Sequence, residues 1–436
     1  YLTPSEKLDK NIKAIKMLKR LENENRSPRE YEQAYLADYL GWGGLADVFD
    51  ETKVGGQWEI ARNFLKENLS KEEYQQARES TLTAFYTPKI VIDNMYTILQ
   101  NLGFNGGKIL EPAMGIGNFL GNVPSDLKNN TIFRGVELDS ISGRIARQLY
   151  PNAKIKIKGF EETYFSNNFF EAAIGNIPFG NIKVNDKDYN KYNFLIHDYF
   201  FAKTIDKVKK GGLIAFVTSS GTLDKKDDSV RKYISKKCEF VGALRLPDTT
   251  FKGMAGTTVT SDIIFLRKRE EEKELEESFL KLDTDENGLT YNKYFVDNPN
   301  MVLGKMVKES GRFGDVVVCK SNGESLENSF KNVVENFKNF KKDFGQIDQN
   351  NNLLEDIDKE ELNVDLENIK NFTFIERNNK IFYKENEELI LQNLNNSDIQ
   401  KIKDYIELNN SLREVIRLQS EDFDDYTIKI EQEKLN

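Results

Sequence analysis

The stretch AAIGNIPFGN at 172–181 ends an apolar run in an asparagine, a proline and an aromatic ring. The side-chain oxygen of Asn176 and the backbone carbonyl of Ile177 are two acceptors that can hold the hydrogens of a planar amino group. A nitrogen held in this way becomes more tetrahedral, so its lone pair can attack a methyl donor. Pro178 would fix the turn, and Phe179 would stack on the ring that carries the amino group. The stretch therefore predicts amine methylation without a strong general base.

A second segment, ILEPAMGIGNFLGNVP, follows a predicted strand and leads toward a helix. Gly115 and Gly117 let the backbone approach a ligand at the carboxyl end of that strand. The segment lacks the Lys-Ser/Thr pair and the third spaced glycine of triphosphate-binding loops, which disfavours a nucleotide triphosphate. Glu137, about twenty residues after the glycines, can accept hydrogen bonds from two ribose hydroxyls. These features together predict a ligand that contains a nucleoside.

Two further pairs of residues extend this prediction. Phe160 and Glu161 follow the third predicted strand and offer a ring to stack on an adenine and a carboxylate to accept from its amino group. Thr87 and Pro88 begin a predicted helix, whose first turn is a natural seat for a small carboxylate.

The elements that must position these residues are short apolar runs that alternate with helical segments. The runs that read as strands are KILEPAM, IFRGVEL, AKIKIKGF, FEAAIGN, GLIAFVT, FVGALRLP and SDIIFLRK. Helices are predicted near 88–102, 140–149, 194–210 and 226–237. Such alternation predicts an α/β fold, with a mainly parallel seven-stranded sheet and helices on both faces.

The flanking sequence differs from this core. Thr3-Pro4-Ser5-Glu6 and Ser27-Pro28-Arg29-Glu30 predict two helix starts, each with a hydroxyl cap and proline at the first helical position. For Trp42 in the following GWGGL segment, packing is favoured over a binding surface. We predict a helical N-terminal subdomain, a core, an α+β extension, a linker, and a C-terminal region with a hairpin and a helix. Their ranges are 1–80, 81–269, 270–339, 340–366 and 367–436.

Composition limits the remaining function classes. The 436 residues are 39% hydrophobic and 31% charged, with no run of membrane-spanning length and no signal-peptide pattern, so we expect a cytoplasmic protein. The initial Tyr1 suggests a piece of a longer polypeptide. A single histidine and two distant cysteines disfavour a metal site or a histidine-based triad, and no metal is predicted.

Residues 81–269 carry 27 Lys and Arg against 18 Asp and Glu, a net charge of +9, whereas the remainder of the chain carries a net charge of −18. A basic middle favours a phosphate-backbone partner.

The order AFYTP, EPAMGIGNF, GVELD, GFE and GNIPFG resembles class-gamma adenine-N6 DNA methyltransferases that use S-adenosyl-L-methionine. This resemblance covers about 81–269. Over most of its length the chain more closely resembles the methyltransferase portion of large helicase-methyltransferase fusion proteins of conjugative elements and phages, in which GWGGL, LIHDYFFAK, TSSGTLDK and VTSDIIFLRKR recur. The resemblance implies a Rossmann-like methyltransferase core and methyl transfer to the N6 amino group of adenine in DNA, with the base flipped against Phe179. The implied partners are DNA and the rest of a larger polypeptide, such as a helicase domain.

The resemblance also assigns site residues. The implied catalytic residues are Asn176, Ile177, Pro178 and Phe179. The implied cofactor-binding residues are Phe85, Tyr86, Thr87, Pro88, Glu111, Pro112, Ala113, Gly115, Gly117, Asn118, Glu137, Leu138, Phe160 and Glu161. Ile177 departs from the proline that is usual in the wider family, but it keeps the backbone carbonyl.

Two alternatives stay open from the residues alone. Asn-Pro-Pro-aromatic loops also serve methylation of a protein glutamine or an RNA base, although the chain length and the position of AFYTP favour DNA. The second alternative is a catalytically inactive interaction module, and the presence of the cofactor motifs argues against it. Because no stretch beyond 270 combines clustered Lys or Arg with aromatic residues, we expect the chain alone to bind duplex DNA weakly and with steep salt dependence.

Overall fold

The computed structural model describes residues 2–82, 86–251, 259–275, 277–311 and 314–342, and beyond these 370, 372–377, 380–385, 388–392, 394, 396–420 and 425–433. The chain divides into two compact units. One comprises Tyr1–Thr163 and Asn167–Ile347, and the other comprises Tyr164–Ser166 and Asp348–Asn436. Phe85 and most of the predicted linker lie outside the described residues.

The helical N-terminal part contains α1 (Pro4–Glu24), α2 (Glu30–Ala37), α3 (Gly56–Asn68) and α4 (Lys71–Glu79). Helix α1 begins as the sequence predicts. The Thr3 hydroxyl accepts from the Glu6 backbone N–H, and the Glu6 carboxylate accepts from the Thr3 N–H at 2.7 Å. This reciprocal pair satisfies two of the N–H groups that an isolated helix end leaves free.

The predicted start of the second helix at Ser27 and Pro28 is wrong. Helix α2 begins at Glu30, with Arg29 as its cap. The buried Glu32 carboxylate accepts from the Arg29 N–H at 2.8 Å and from the Arg26 guanidinium at 2.7 Å. These contacts fix the helix start two residues later than the hydroxyl cap would.

A seven-stranded sheet forms the centre of the first unit. Its strands are β1 (Gly107–Glu111), β2 (Thr131–Glu137), β3 (Lys154–Ile157), β4 (Phe170–Asn176), β5 (Val208–Ser219), β6 (Cys238–Leu246) and β7 (Ser261–Lys268). The strand order is β3-β2-β1-β4-β5-β7-β6, and β7 is antiparallel to both its neighbours while the other pairs are parallel. The predicted α/β fold class with a mainly parallel sheet is confirmed.

Helix α5 (Lys89–Asn101) precedes β1, and the helices that connect the strands are α6 (Asn118–Gly121), α7 (Ser125–Lys128), α8 (Ser140–Leu149), α9 (Ile196–Lys207), α10 (Gly221–Asp224) and α11 (Ser229–Lys237). The strands are near-continuous apolar runs because both faces of the sheet are covered. Ile174, Val217 and Phe265 pack in one core with Met95 and Leu99 of α5. Each such fully buried side chain stabilises the fold by about 1.5–3 kcal/mol.

The strand order places a crevice beside β1. After β1 the chain builds β2 and β3 on one side and then returns to form β4 on the other side. Open parallel sheets bind ligands outside the carboxyl ends of their strands at such a reversal. The residues that end β1 and β4 therefore lie at the expected binding edge.

The remaining elements of the first unit are β8 (Leu282–Thr284), β9 (Thr290–Asn292), α12 (Lys293–Asp297), β10 (Lys305–Gly311), β11 (Gly314–Lys320) and α13 (Leu326–Val334). Phe330 and Val333 of α13 pack in the same core as β1 and α5. The predicted boundary between 269 and 270 stays a prediction, and residues from both sides of it share this core.

The described part of the second unit contains an antiparallel sheet and two helices. Its strands β12 (Thr373–Arg377), β13 (Lys380–Glu385) and β14 (Glu388–Leu391) pair in that order, and α14 (Asn396–Ser420) and α15 (Asp425–Glu433) follow. Across the described parts of both units, no helix combines the length and apolar character needed to cross a bilayer.

Candidate active site

The carboxyl ends of β1, β2 and β4 border one cavity of about 420 Å³. Glu111 ends β1, Glu137 ends β2 and Asn176 ends β4. Glu161 reaches the same cavity from the short turn that follows β3. The volume lies within the roughly 300–1,000 Å³ typical of small-molecule sites.

Most of the predicted site residues line this cavity. They are Tyr86, Thr87, Glu111, Pro112, Ala113, Gly115, Asn118, Glu137, Leu138, Phe160, Glu161, Asn176, Ile177, Pro178 and Phe179. Pro88 and Gly117 are not among the lining residues. Gly117 has a φ of +89°, and a Cβ there would lie 2.6 Å from the Tyr150 ring, so local packing accounts for this glycine.

Glu137 joins the loop after β1 to the end of β2. One of its carboxylate oxygens accepts from the Gly115 N–H at 2.7 Å, and the other accepts from the Asp139 N–H at 2.8 Å. Gly115 has a φ of +56°, a conformation that favours glycine. A carboxylate has about four acceptor positions, so Glu137 can still accept hydrogen bonds from a ligand.

The sheet side of the cavity is acidic, with Glu111 buried and Glu137 and Asp139 half-buried. Burial raises the pKa of Glu137 to about 7, with a further contribution from the neighbouring Asp139 charge. Burial, and then the Glu137 charge, raise the pKa of Glu111 well above its usual value, and burial also raises the pKa of Asp139. The Glu111 Oε2 atom is buried and has no hydrogen-bond partner among the described residues. Ionisation of buried carboxylates becomes easier beside a positive charge, so this wall fits a cationic ligand.

The loop after β4 is anchored at its start. Asn176 pairs in register with Val217 of β5, and the Ile177 N–H donates to the Val217 carbonyl at 3.1 Å. Ile177 is buried, whereas Asn176, Pro178 and Phe179 are half-buried at the cavity. The backbone thus fixes the position from which Asn176 and the Ile177 carbonyl can meet a substrate.

A buried ion pair braces the segment that follows this loop. The Lys203 ammonium of α9 lies 3.0 Å from Asp186 Oδ2, which also accepts from the Tyr199 hydroxyl at 2.7 Å. Lys203 donates to the Glu161 carbonyl at 3.3 Å and lies 5.1 Å from the centre of the Phe160 ring. One side chain therefore links the loop after β4 to the loop after β3.

Sequence reasoning missed part of the cavity wall. The additional lining residues are Tyr39, Gly41, Trp42, Gln76, Glu79, Ser80, Met114, Phe119, Asp139, Ser142, Lys158, Gly159, Ile182, Ile196 and Phe200. The packing predicted for Trp42 is present, with its ring centre 5.3 Å from that of Phe49, but Trp42 also borders the cavity. The glycines of GWGGL were the available signal.

Comparison with known proteins gives a family match. Residues 69–296, just over half of the chain, match the family described as N-6 DNA Methylase. The chain is also 32% identical over 194 residues to "Defense against restriction protein B" of Escherichia phage P1. That alignment covers 43% of this chain and 8% of the phage protein, so the chain spans a small part of this relative.

Solved structures with similar folds include two proteins of type I restriction systems. The methyltransferase subunit from Streptococcus thermophilus is 14% identical, with a TM-score of 0.38, over 76% of this chain and 79% of its own. The EcoKI M protein is 14% identical, with a TM-score of 0.34, over 60% of this chain and 69% of its own. Neither likeness bears on the chemistry of the cavity.

Proposed function

The chain belongs to the N-6 DNA methylase family, and we propose that it transfers a methyl group from S-adenosyl-L-methionine to the N6 amino group of adenine in DNA. The observation that carries the proposal is a single cavity that joins the acidic ends of β1 and β2 to the Asn176–Phe179 loop at the end of β4. The acidic wall suits a cationic cofactor, and the loop suits a planar amine.

The cofactor would bind along the sheet edge. When bound, it would supply a methyl group attached to a sulfonium sulfur. The amine would form a bond to the methyl carbon, and the sulfur would leave with the electron pair of the broken carbon–sulfur bond. Glu137 would accept hydrogen bonds from the ribose hydroxyls, and Glu161 would accept from the amino group of the cofactor's adenine. The unpartnered oxygen of Glu111 supports binding of the cofactor's positive charge.

The loop after β4 would hold the target base. Asn176 and the Ile177 carbonyl would accept the two hydrogens of the adenine amino group and direct its lone pair toward the methyl group. Phe179 would stack on a base that has been flipped out of the helix. The alkylated nitrogen is acidic, so its proton passes to water and no strong base is required.

We further propose that the chain is a class-gamma enzyme and the methyltransferase portion of a longer helicase-methyltransferase fusion protein. The sequence resemblance supports this proposal, as does the small share of the phage protein that the alignment covers. The rest of the polypeptide would then provide tight engagement of DNA. The predicted domain ranges are part of the same proposal.

Labelled methyl transfer tests the proposed function. The chain is incubated with DNA and methyl-labelled cofactor, and the nucleosides are separated after digestion. We expect the label in N6-methyldeoxyadenosine. Label in cytosine, in RNA added as a competitor or in a protein glutamine would contradict the proposal.

A further inference from the structure

The N-terminal helices hold a glycine-rich loop against the cavity. This loop, Tyr39–Gly44, follows α2. Gly41 and Gly44 have φ values of +65° and +73°, so the loop requires glycine at these positions. Asn11 of α1 is completely buried; its side chain donates to the Gly41 carbonyl at 2.6 Å and accepts from the Leu40 N–H at 2.8 Å.

Two further contacts fix the loop. The buried Lys7 ammonium donates to the Gly43 carbonyl at 2.5 Å, and the Gly44 N–H donates to the Thr81 carbonyl at 3.3 Å. The second contact ties the loop to the segment that leads into Thr87. These hydrogen bonds to the loop fix the position of Trp42 at the cavity.

Trp42 is a buried donor at the wall of the cavity. It is 1% exposed, and its ring packs edge-on against Tyr39 and Phe49. The Tyr39 hydroxyl is close enough to its indole Nε1 to interact with it, but neither atom has a hydrogen-bond partner of acceptable geometry among the described residues. Because burial of an unsatisfied N–H opposes folding, such a group at a cavity wall points to a ligand acceptor.

The two walls of the cavity differ in chemistry. The sheet side carries the buried Glu111 and the half-buried Glu137 and Asp139, and its basic residue, Lys158, directly follows β3. The side formed by residues before β1 contributes the donor groups of Tyr39, Trp42, Gln76, Ser80, Tyr86 and Thr87. Its acidic lining residue, Glu79, is exposed to solvent.

We propose that Trp42 is a cofactor-binding residue whose indole N–H donates to the carboxylate of S-adenosyl-L-methionine. The assignment rests on the proposed function, since it takes this cofactor as the ligand. The carboxylate is the cofactor's anionic group and requires hydrogen-bond donors, whereas the sheet side offers mainly carboxyl groups. The donor side attracts it, and the start of α5 adds backbone N–H groups beside Thr87. Trp42 thus contributes to binding from a part of the chain that precedes the sheet.

The two tryptophans of the chain, Trp42 and Trp58, provide a matched test. Trp58 is half-buried, packs against the hydrophobic core that contains Trp42 and Phe49, and does not line the cavity. We expect Trp42→Phe to weaken S-adenosyl-L-methionine binding by roughly ten- to hundredfold in calorimetry, the scale of a lost hydrogen bond to a charged group. Trp58→Phe should bind like the parent.

A truncated ligand identifies the contacted group. 5′-Methylthioadenosine lacks the amino-acid end, so the parent and Trp42→Phe should bind it equally, which also reports an intact cavity. In Trp58→Phe, the fluorescence of the remaining Trp42 should change with the full cofactor and much less with 5′-methylthioadenosine. This second measurement retains Trp42 and does not depend on the folding of Trp42→Phe.

The outcomes separate the inference from the proposed function. If Trp42→Phe binds the full cofactor as the parent does, or loses both ligands equally, the carboxylate contact is refuted while the proposed function stands. An unchanged Trp42 signal on saturation with cofactor refutes it as well. A parent chain that binds neither ligand overturns both proposals.

Discussion

The ends of β2 and β4 lie on the same cavity but are built for different tasks. Glu137 is a half-buried carboxylate with both oxygens held by backbone N–H groups, and its pKa is raised to about 7. Asn176 is a neutral, half-buried amide at the head of a loop whose backbone is fixed by β5. A charge held in this way suits ground-state binding, whereas a positioned neutral acceptor suits an amine whose charge changes during reaction. The two strand ends should therefore separate binding from chemistry.

The largest effect is expected at Asn176. Asn176→Ala should lower turnover by roughly a hundred- to a thousandfold, because it removes one preorganised polar contact to the reacting group. Cofactor affinity, measured by calorimetry, should stay near that of the parent. Asn181→Ala, in the exposed continuation of the same loop, is the matched control and should methylate normally. Turnover at the parent rate in Asn176→Ala would refute the assigned role.

A smaller effect on binding is expected at Glu137. Glu137→Ala should weaken S-adenosyl-L-methionine binding by about 1.5–3 kcal/mol, the value of hydrogen bonds to a charged group. Glu162→Ala removes an exposed carboxylate that does not line the cavity and should leave affinity unchanged. Equal affinities in folded Glu137→Ala and the parent would remove Glu137 from the site.

The raised pKa of Glu137 predicts a pH dependence. As pH falls through about 7, protonation of Glu137 should weaken cofactor binding by up to about tenfold per pH unit, and Glu137→Gln should flatten this part of the profile. The pH dependence of folding stability has the opposite sign to that of cofactor binding. The folded state holds this proton more tightly than the unfolded state, so the contribution of Glu137 to stability is present at low pH and is lost as pH rises toward 7. Glu137→Gln should therefore raise the Tm more at about pH 8 than at about pH 5, and an equal change at both would contradict the assignment.

The smallest effect is expected for DNA binding. The parent should bind duplex DNA weakly, with affinity falling by about tenfold or more between roughly 50 and 200 mM salt, because the contacts are to phosphates. Asn176→Ala and Glu137→Ala should match the parent in fluorescence anisotropy, since neither changes a basic surface. Tight, sequence-selective binding at physiological salt would place a recognition domain within 270–436.

The parts of the molecule that could be predicted are those in which the local sequence pattern also determines where a residue lies in the fold. Glu111, Glu137 and Asn176 end apolar strands, and the carboxyl ends of neighbouring parallel strands meet at one edge, so their convergence follows from the alternating pattern. Strand β3 follows from the same alternation, whereas the strand order, with antiparallel β7 between β5 and β6, was not predicted from the sequence.

The remaining features depend on contacts between distant residues. Trp42 reaches the cavity because Asn11, 30 residues before Gly41, holds the loop. Lys203 braces the site through the Glu161 carbonyl, 42 residues away. The start of α2 differs from the sequence prediction because Arg26 and Arg29 both contact the Glu32 carboxylate. No local periodicity encodes such contacts.

The division of labour between β2 and β4 is tested most directly by methyl transfer at saturating cofactor. The parent, Glu137→Ala and Asn176→Ala are each saturated with labelled S-adenosyl-L-methionine and mixed with DNA, and N6-methyldeoxyadenosine is followed over time. Saturation should restore Glu137→Ala to within a few-fold of the parent, and Asn176→Ala should stay at least roughly a hundredfold slower. The reverse order, or rescue of both variants by cofactor, would contradict the account.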